Sequence, residues 1–245
     1  MSFLLVTQKC WLRKMYKGKS ILGVTLARGG SKSIPKKNIV KIAGRPLISY
    51  TFKEVKKLTM LDDYIVSTDD EQIREVCLEY SINVPFVRPP ELSGDTATSA
   101  DALIHCVEWF RKKGIKYDYV VELMATNPLK SHSDIEACVK KAIDFDADSC
   151  VAVHKLEDHH PARIKYIENG YLKNFYPEVL ESRRQDLKPD AYIRSGSIYV
   201  TKVDYLLNNG ARYSSSDTLA HVLPASRVIN IDTPEDLAMA KAIMT

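Results

Sequence analysis

The feature that most constrains the fold is an alternation of short apolar runs with segments of helical spacing. The strand-like runs are residues 21–26, 63–68, 84–87, 117–124 and 149–154. The segments between them that have helical spacing are residues 46–57, 69–80, 98–112 and 134–145. Strands joined through helices form parallel sheets covered on both sides. We therefore predict an α/β fold with a Rossmann-like, mostly parallel sheet and helices on both faces.

This alternation stops between Lys155 and Arg194. Residues 166–172 read Tyr-Ile-Glu-Asn-Gly-Tyr-Leu and predict a hairpin with an Asn-Gly turn. The stretch is too short to make a core and carries several aromatic side chains. We interpret residues 155–194 as an inserted arm that packs on a second subunit.

Strand patterns then return at residues 197–200, 220–223 and 227–231. Thr233-Pro234-Glu235-Asp236 predicts the start of a last helix, with Thr233 as its N-cap.

The first strand runs into the loop Ala27-Arg-Gly-Gly-Ser-Lys-Ser-Ile-Pro-Lys-Lys-Asn38. Gly29 and Gly30 let backbone N–H groups approach an anion, and Arg28, Lys32 and Lys37 supply positive charge. These residues suit a polyphosphate, although a basic solvated loop is an equally good reading of the composition alone. The loop matches neither G-x-G-x-x-G nor the P-loop, which disfavours those two nucleotide-binding classes.

Composition narrows the choice of partners and compartment. The chain has 35 basic and 31 acidic residues, and 35 − 31 = +4 is too small a charge to indicate nucleic acid. No apolar run reaches the roughly 18 residues of a membrane span, so we expect no membrane partner. The cysteines lack C-x-x-C pairing, and Cys77, Cys106 and Cys138 lie in helical patterns, which predicts reduced core thiols in a cytoplasmic protein.

The chain divides at its first strand. Residues 1–20 fit the rest poorly, and we interpret them as an extension that precedes the native start or has no folded role. Residues 21–245 are expected to form one domain, with the arm of residues 155–194 inserted in it.

Several stretches, taken in order, resemble the CMP-sialic acid synthetases (N-acylneuraminate cytidylyltransferases). They are residues 27–38, 67–69, 88–99, 159–161, 184–187, 196–199 and 230–233. The resemblance covers nearly everything from Ile21 onward and implies the nucleotide-diphospho-sugar transferase type of fold. The related Kdo cytidylyltransferases share the opening loop but typically carry Gln-Gly-Asp-Glu-Pro where this chain has Met124-Ala-Thr-Asn-Pro128.

The resemblance implies a reaction in which CTP and a nine-carbon 2-keto sugar acid give the CMP-sugar and pyrophosphate. It implies Mg²⁺ as cofactor, held by Asp232 and Asn230, and a homodimer. Catalysis is assigned to Arg28, Lys37 and Asp232. The nucleotide-binding candidates are Leu26, Ala27, Arg28, Gly29, Gly30, Ser31, Lys37, Asn38, Arg88 and Ser99. The sugar-binding candidates are Met124, His160, Arg163, Arg184, Gln185, Tyr192 and Arg194.

Two departures from the family pattern concern the metal and the sugar. The usual Asp-Ile-Asp reads Asn230-Ile231-Asp232, which removes one carboxylate from the expected metal site. A glutamine of the family is replaced by Met124, which cannot donate a hydrogen bond. A more apolar contact suits a sugar with a methyl or bulkier acyl group, and legionaminic-type acids fit at least as well as N-acetylneuraminate.

Other readings of the same residues remain open. Asp232 could instead stabilise the positive end of the last helix, and Ser99 could be a hydroxyl at the start of a helix. Arg88 could instead donate hydrogen bonds to loop carbonyls. The arm arginines suit exposed ion pairs. At the level of the whole chain, the alternatives are a Kdo-type enzyme, a catalytically silent nucleotide-binding protein and an NAD-binding oxidoreductase. The missing G-x-G-x-x-G argues against the last of these.

Overall fold

The computed structural model describes residues 16–177, 181–214 and 216–244. Its strands are β1 (Ile21–Leu26), β2 (Lys41–Ile42), β3 (Arg45–Pro46), β4 (Asp63–Ser67), β5 (Tyr119–Leu123), β6 (Ser149–Lys155), β7 (Lys165–Glu168), β8 (Tyr171–Asn174), β9 (Tyr192–Lys202) and β10 (Thr218–Val222). Its helices are α1 (Leu47–Val55), α2 (Glu71–Glu79), α3 (Ser99–Arg111), α4 (His132–Asp144), α5 (Val203–Asn209) and α6 (Pro234–Met244).

A six-stranded sheet in the order β10-β6-β9-β5-β1-β4 forms the centre. Strand β9 is antiparallel to both of its neighbours, while the other pairs are parallel. The carboxyl ends of β1, β4, β5, β6 and β10 therefore meet at one edge of the sheet. The prediction of a mostly parallel sheet is confirmed.

Alternate residues of the central strands pack on opposite faces, because side chains of a strand point alternately up and down. Leu22 and Val120 join a core with α3 and α5. Ile21 and Val121 join the opposite core, with residues of α1 and α4. Both sides of the sheet are thus covered, which explains why β1 and β5 are mostly apolar.

Side-chain caps set the starts of the helices. Asp70 accepts a hydrogen bond from the Ile73 backbone N–H at the start of α2, at 3.0 Å. Thr98 and Ser131 form capping boxes that begin α3 and α4. The predicted cap of the last helix is confirmed, since the Asp236 N–H donates to Thr233 Oγ1 at 3.2 Å.

The hairpin prediction is also confirmed. Strands β7 and β8 pair antiparallel, and Asn169 and Gly170 have φ of 51° and 81° between them. Positive φ at both central residues is the requirement of a type I′ turn, which an Asn-Gly pair meets.

Two predicted strands are wrong. Residues 84–87 make one isolated bridge, that of Thr68 with Val87, because Pro85 has no N–H to offer a ladder. Residues 227–231 follow a short helical turn, and Ile231 N–H donates to the Thr126 carbonyl at 2.9 Å instead of joining the sheet. Helix α5 was not predicted.

Residues 16–20 pack against the fold, and the Ser20 N–H donates to Asp118 at 2.8 Å. The expectation for residues 1–15 lies outside the described residues.

The described cysteines Cys77, Cys106, Cys138 and Cys150 are buried and free, as predicted for the first three. No helix in the described part of the chain has both the length and the apolar character needed to cross a bilayer.

Candidate active site

A cleft of about 320 Å³ lies at the carboxyl ends of β1 and β5. Ligands of open α/β sheets bind at this edge. The side chains and backbone that line it are Leu26, Arg28, Lys37, Asn38, Arg88, Leu92, Gly94, Asp95, Ala97, Thr98, Ser99, Ala102, Glu122, Met124, Ala125, Thr126 and Asp232.

The loop after β1 is held to the loop after β4. The Gly29 N–H donates to Asp69 Oδ1 at 3.0 Å, and a Cβ at Gly29 would lie 2.6 Å from Asp70 Oδ2. Only glycine fits this close approach. Asn38 is buried, and its Nδ2 donates to the Arg28 carbonyl at 3.1 Å, so the Asn38 side chain braces the loop from inside.

Other predicted nucleotide-binding residues differ in their placement. Ala27 is fully buried and donates its N–H to the Ser67 carbonyl, so its side chain offers nothing to a ligand. Gly30 and Ser31 are outside the cleft lining; Gly30 is exposed and Ser31 is half-buried. Ser99 lines the cleft as the first residue of α3, directly after the capping residue Thr98.

Two cations of the loop contact Asp95. Arg28 Nη1 donates to the Gly94 carbonyl at 3.0 Å and lies 3.4 Å from Asp95 Oδ1. Lys32 Nζ lies 2.7 Å from Asp95 Oδ2, and this contact lowers the pKa of Asp95. All three side chains are exposed, so these ion pairs contribute little to stability. A bound anion can displace Asp95 at little cost.

Lys37 and Asp232 meet across the cleft although 195 positions separate them in the chain. Lys37 Nζ donates to Asp232 Oδ1 at 2.8 Å, and Asn230 Nδ2 donates to Asp232 Oδ2 at 2.5 Å. The bond from Ile231 N–H to the Thr126 carbonyl holds this segment against the end of β5. The structure thus brings together Arg28, Lys37 and Asp232, which the sequence assigned to catalysis.

Arg88 is the most buried cation of the cleft, with 4% of its surface exposed. Its Nε donates to Ser93 Oγ at 3.0 Å, and its Nη2 lies 3.6 Å from Asp69 Oδ1. Burial lowers the pKa of Arg88, and the neighbouring carboxylate of Asp69 opposes that shift. An arginine remains charged in any case, so the wall of the cleft keeps a fixed positive charge.

The turn after β5 forms the other side of the cleft and carries Met124. A buried lysine holds it: Lys130 Nζ donates to the carbonyls of Met124 and Asn127 at 2.7 and 2.8 Å and to Thr51 Oγ1 at 2.7 Å. Burial lowers the pKa of Lys130 to about 7. The hydroxyl of Thr126, which also lines the cleft, is buried and has no hydrogen-bond partner among the described residues.

The comparisons with known proteins agree with this geometry. Residues 22–205 match the family described as cytidylyltransferase. The chain belongs to the cytidylyltransferase family. It is 34% identical over 217 residues to the pseudaminic acid cytidylyltransferase of Campylobacter jejuni, covering 89% of this chain and 93% of that one. It is 33% identical to the N-acylneuraminate cytidylyltransferase of Streptococcus agalactiae, over 86% of this chain and 50% of that protein.

A further relative is the CMP-N,N'-diacetyllegionaminic acid synthase of Legionella pneumophila, at 27% identity over 91% of this chain and 96% of that protein. Among solved structures, a CMP:2-keto-3-deoxy-manno-octonic acid synthetase complexed with CTP superposes with a TM-score of 0.67 and 19% identity, covering 92% of this chain and 98% of that chain. At such identity the likeness concerns the fold alone. The predictions of the family, the fold type and an enzyme of the nucleotidyltransferase class are confirmed.

The predicted sugar-binding residues of this cytidylyltransferase are divided between separate places. Met124 lines the cleft, whereas His160, Arg184 and Gln185 line a second pocket of about 450 Å³ in the arm. Arg184 pairs there with Glu157 at 2.7 Å and with Asp158 at 3.5 Å. His160 Nδ1 accepts from the Ala162 N–H, and Nε2 contacts the Pro189 carbonyl.

The remaining predicted sugar-binding residues also lie outside the cleft lining. Arg163 lies 4.0 Å from Glu181, Tyr192 is exposed at the start of β9, and Arg194 donates to Tyr213 Oη. Within one chain, the structure therefore does not bring the arm residues to the residues that line the nucleotide side of the cleft.

Sequence reasoning missed the ion pair between Glu122, which is buried and lines the cleft, and the partly buried Arg212, in which Nη1 and Oε2 are 2.5 Å apart. Burial raises the pKa of Glu122, and Arg212 opposes the shift. A signal was present in the sequence, because Glu122 interrupts the apolar run Tyr119–Leu123 of a central strand. Charged residues are almost never fully buried unless they are paired.

Proposed function

We propose that this cytidylyltransferase couples CTP to a nine-carbon 2-keto sugar acid, releasing pyrophosphate. The observation that carries the proposal is the contact of Lys37 with Asp232, in a cleft that also contains Arg28 and Arg88. Three cations and a carboxylate in one cleft suit a triphosphate with its counter-charge. The named relatives act on pseudaminic, N-acylneuraminic and diacetyllegionaminic acids, which supports this substrate class.

In the proposed reaction, the 2-hydroxyl oxygen of the sugar acid attacks the α-phosphorus of CTP. A new phosphorus–oxygen bond forms as the bond to the β-phosphate oxygen breaks, and pyrophosphate leaves with the electron pair. The hydroxyl proton passes to solvent. Positioning of the two reactants and neutralisation of the charge on pyrophosphate are the main demands of such a step.

Arg28 and Lys37 are the residues proposed to neutralise the leaving pyrophosphate. Without ligand, both cations rest on exposed carboxylates, Asp95 and Asp232. A triphosphate carries more charge than either carboxylate and offers oxygens that match an arginine fork. We infer that CTP draws both side chains off these carboxylates and that Asp232 becomes available to a cation.

The residues at Asp232 fit Mg²⁺, which favours oxygen ligands and binds through one or two carboxylates together with substrate phosphates. Asp232 supplies a carboxylate, and the Asn230 amide supplies an oxygen once its side chain turns. No cluster of three or more His, Cys, Asp or Glu side chains suited to a metal occurs in the described residues, so phosphate oxygens would complete the ligand set. Bound there, Mg²⁺ would supply further neutralisation of the triphosphate.

The sugar is proposed to be an acid of the pseudaminic or legionaminic type, which carries a methyl group at the end of its carbon chain. Met124 places a thioether and methylene groups in the cleft lining, where a hydroxyl of the substrate would find only a weak acceptor. A methyl group at that point buries apolar surface instead, at about 25 cal/mol per Å².

A homodimer is proposed to complete the sugar site. The arm, residues 155–194, exposes large apolar side chains, including Ile167 (75%), Tyr171 (72%) and Leu172 (70%). Such a surface indicates a protein partner. A second copy seated on it would carry arm cations toward a neighbouring cleft that its own arm residues do not line. The buried free thiols suit the cytoplasm, where cysteines stay reduced.

The proposal is tested by measuring pyrophosphate release from CTP with pseudaminic, legionaminic, N-acetylneuraminic and Kdo acids, with and without Mg²⁺. We expect the highest kcat/KM with pseudaminic or legionaminic acid. Activity with Kdo alone would favour the Kdo-type alternative. If CTP binds but no acid releases pyrophosphate, the chain is a silent nucleotide-binding protein and the proposal is wrong.

A further inference from the structure

The floor of the cleft contains a carboxylate that phosphate binding does not require. Glu122 lies in β5, lines the cleft and is 2% exposed. A buried carboxylate costs free energy unless it is paired, and it repels both the triphosphate and the sugar acid. The structure nevertheless places it in the cleft that is also lined by Arg28, Arg88 and Met124.

Arg212 opposes the effect of burial on this carboxylate and orients it. Its guanidinium bonds Glu122 Oε2 and also lies 4.4 Å from the centre of the Tyr199 ring, which faces Glu122 from the adjacent strand β9. The Thr201 hydroxyl donates to the Arg212 carbonyl and fixes the backbone. These contacts leave the arginine little freedom to leave Glu122.

One oxygen of Glu122 remains available. Among the described residues only Arg212 bonds the carboxylate, and it does so through Oε2. An ionised carboxylate accepts hydrogen bonds and donates none, so it selects hydroxyl or amide N–H groups and rejects phosphate and carboxylate groups. Glu122 in β5 and Met124, the first residue after that strand, both line the cleft where we have proposed the sugar.

We propose that Glu122 is a specificity-determining residue that accepts a hydrogen bond from a hydroxyl or acylamino N–H of the sugar acid. Arg212 is the positioning residue that holds it. This inference rests on the proposed function, and it names a contact that discriminates among sugar acids by the donors they carry. A site built to bond a donor strongly rejects analogues that lack it.

The competing explanation is an ion pair that only ties residues 210–214 to the sheet. A double variant, Glu122→Met with Arg212→Leu, separates the two. Replacing a buried ion pair by apolar residues of similar volume is often neutral or stabilising, so folding is retained under both explanations. If the pair is only structural, the KM for the sugar acid also stays at its wild-type value. Our proposal predicts at least a tenfold rise in that KM, with the KM for CTP unchanged.

Glu122→Gln provides a second measurement that does not depend on the double variant folding. It preserves the shape but removes the charge, and we expect the sugar KM to rise about tenfold here too. Arg227→Met is the matched control, because Arg227 pairs with buried Asp134 at 2.8 Å outside the cleft lining. Its melting temperature is expected to fall while both KM values stay unchanged.

Kinetics of the wild-type enzyme and these variants decide the matter. A sugar KM within twofold of wild type in Glu122→Gln, or in a folded double variant, overturns the inference and leaves the proposed function intact. A wild-type enzyme that releases no pyrophosphate with any sugar acid overturns both.

Discussion

Replacing Lys130 by methionine tests how the cleft is held in shape. The ammonium of Lys130 is buried and donates to three oxygens, the carbonyls of Met124 and Asn127 and the hydroxyl of Thr51. Methionine fills a similar volume without any donor. The turn that lines the cleft would lose its anchor while the apolar packing around it changes little.

The expected loss of stability follows from the three acceptors. Each buried acceptor left without a donor costs about 1–3 kcal/mol. Relief of the buried charge offsets part of the total, so we expect Lys130→Met to lower the free energy of unfolding by about 2–3 kcal/mol. For a chain of this size, 1 kcal/mol corresponds to about 2–4 °C in Tm, so Tm should fall by about 5–10 °C.

The buried ammonium of Lys130 also affects how the stability of the protein depends on pH. Burial lowers the pKa of Lys130 to about 7, below the value of about 10.4 in an unfolded chain. Between these two values the unfolded state binds more protons than the native state, so stability rises with pH from about 7 to about 10. Lys130→Met should flatten this part of the profile.

Denaturant unfolding at several pH values and steady-state kinetics measure these effects. Lys141→Met is a suitable control, because Lys141 donates to one carbonyl, that of Ala220, at the surface, and its loss should cost under about 0.5 kcal/mol. We also expect the sugar KM to rise several-fold in Lys130→Met. If Tm stays within about 2 °C of wild type and the pH profile is unchanged, Lys130 does not anchor the turn.

Other variants test the reacting groups and the dimer. Arg28→Ala should raise the activation barrier by about 2.7–4 kcal/mol with little change in CTP binding, and turnover within a few-fold of wild type would refute a clamp role. Asp232→Asn should abolish Mg²⁺ activation and Asn230→Asp should tighten the metal; an unchanged Mg²⁺ titration would falsify the metal role. Light scattering should give about twice 27.7 kDa, and Ile167→Lys with Leu172→Lys should give the monomer mass. A wild-type monomer at micromolar concentration refutes the dimer.

The parts of the fold that the sequence predicted are those where local signals and packing agree. The apolar run of β1, the Asn169-Gly170 turn and the Thr233 cap are each determined by neighbouring residues. The pairing of residues 227–231 is not determined by neighbouring residues, because an apolar run does not indicate whether the edge of a sheet is near enough to pair with. The antiparallel direction of β9 is likewise a tertiary property.

The same division holds for the candidate site. The loop after β1 could be predicted to bind phosphate because its glycines and cations are close together in the sequence. In the structure Arg28 and Lys37 from this loop line one cleft with Asp232. The partner of Glu122 is 90 positions away, at Arg212, in a stretch without a motif. Lys130 reads as an ordinary surface lysine until the three oxygens around it are seen. Burial decides the roles of both residues, and burial is a property of the fold.

Burial also separates two kinds of charge in this cleft. Arg88, Lys130 and Glu122 are themselves buried, and moving any of them would break its hydrogen bonds and leave a buried polar or charged group unpaired, at a cost of several kcal/mol. Arg28 and Asp232 are more than one-third exposed, and the contacts of Arg28 with Asp95 and of Lys37 with Asp232 contribute little. The first group sets the shape of the cleft before ligand arrives. The second group is free to exchange a carboxylate for a phosphate oxygen, as the departure of pyrophosphate requires.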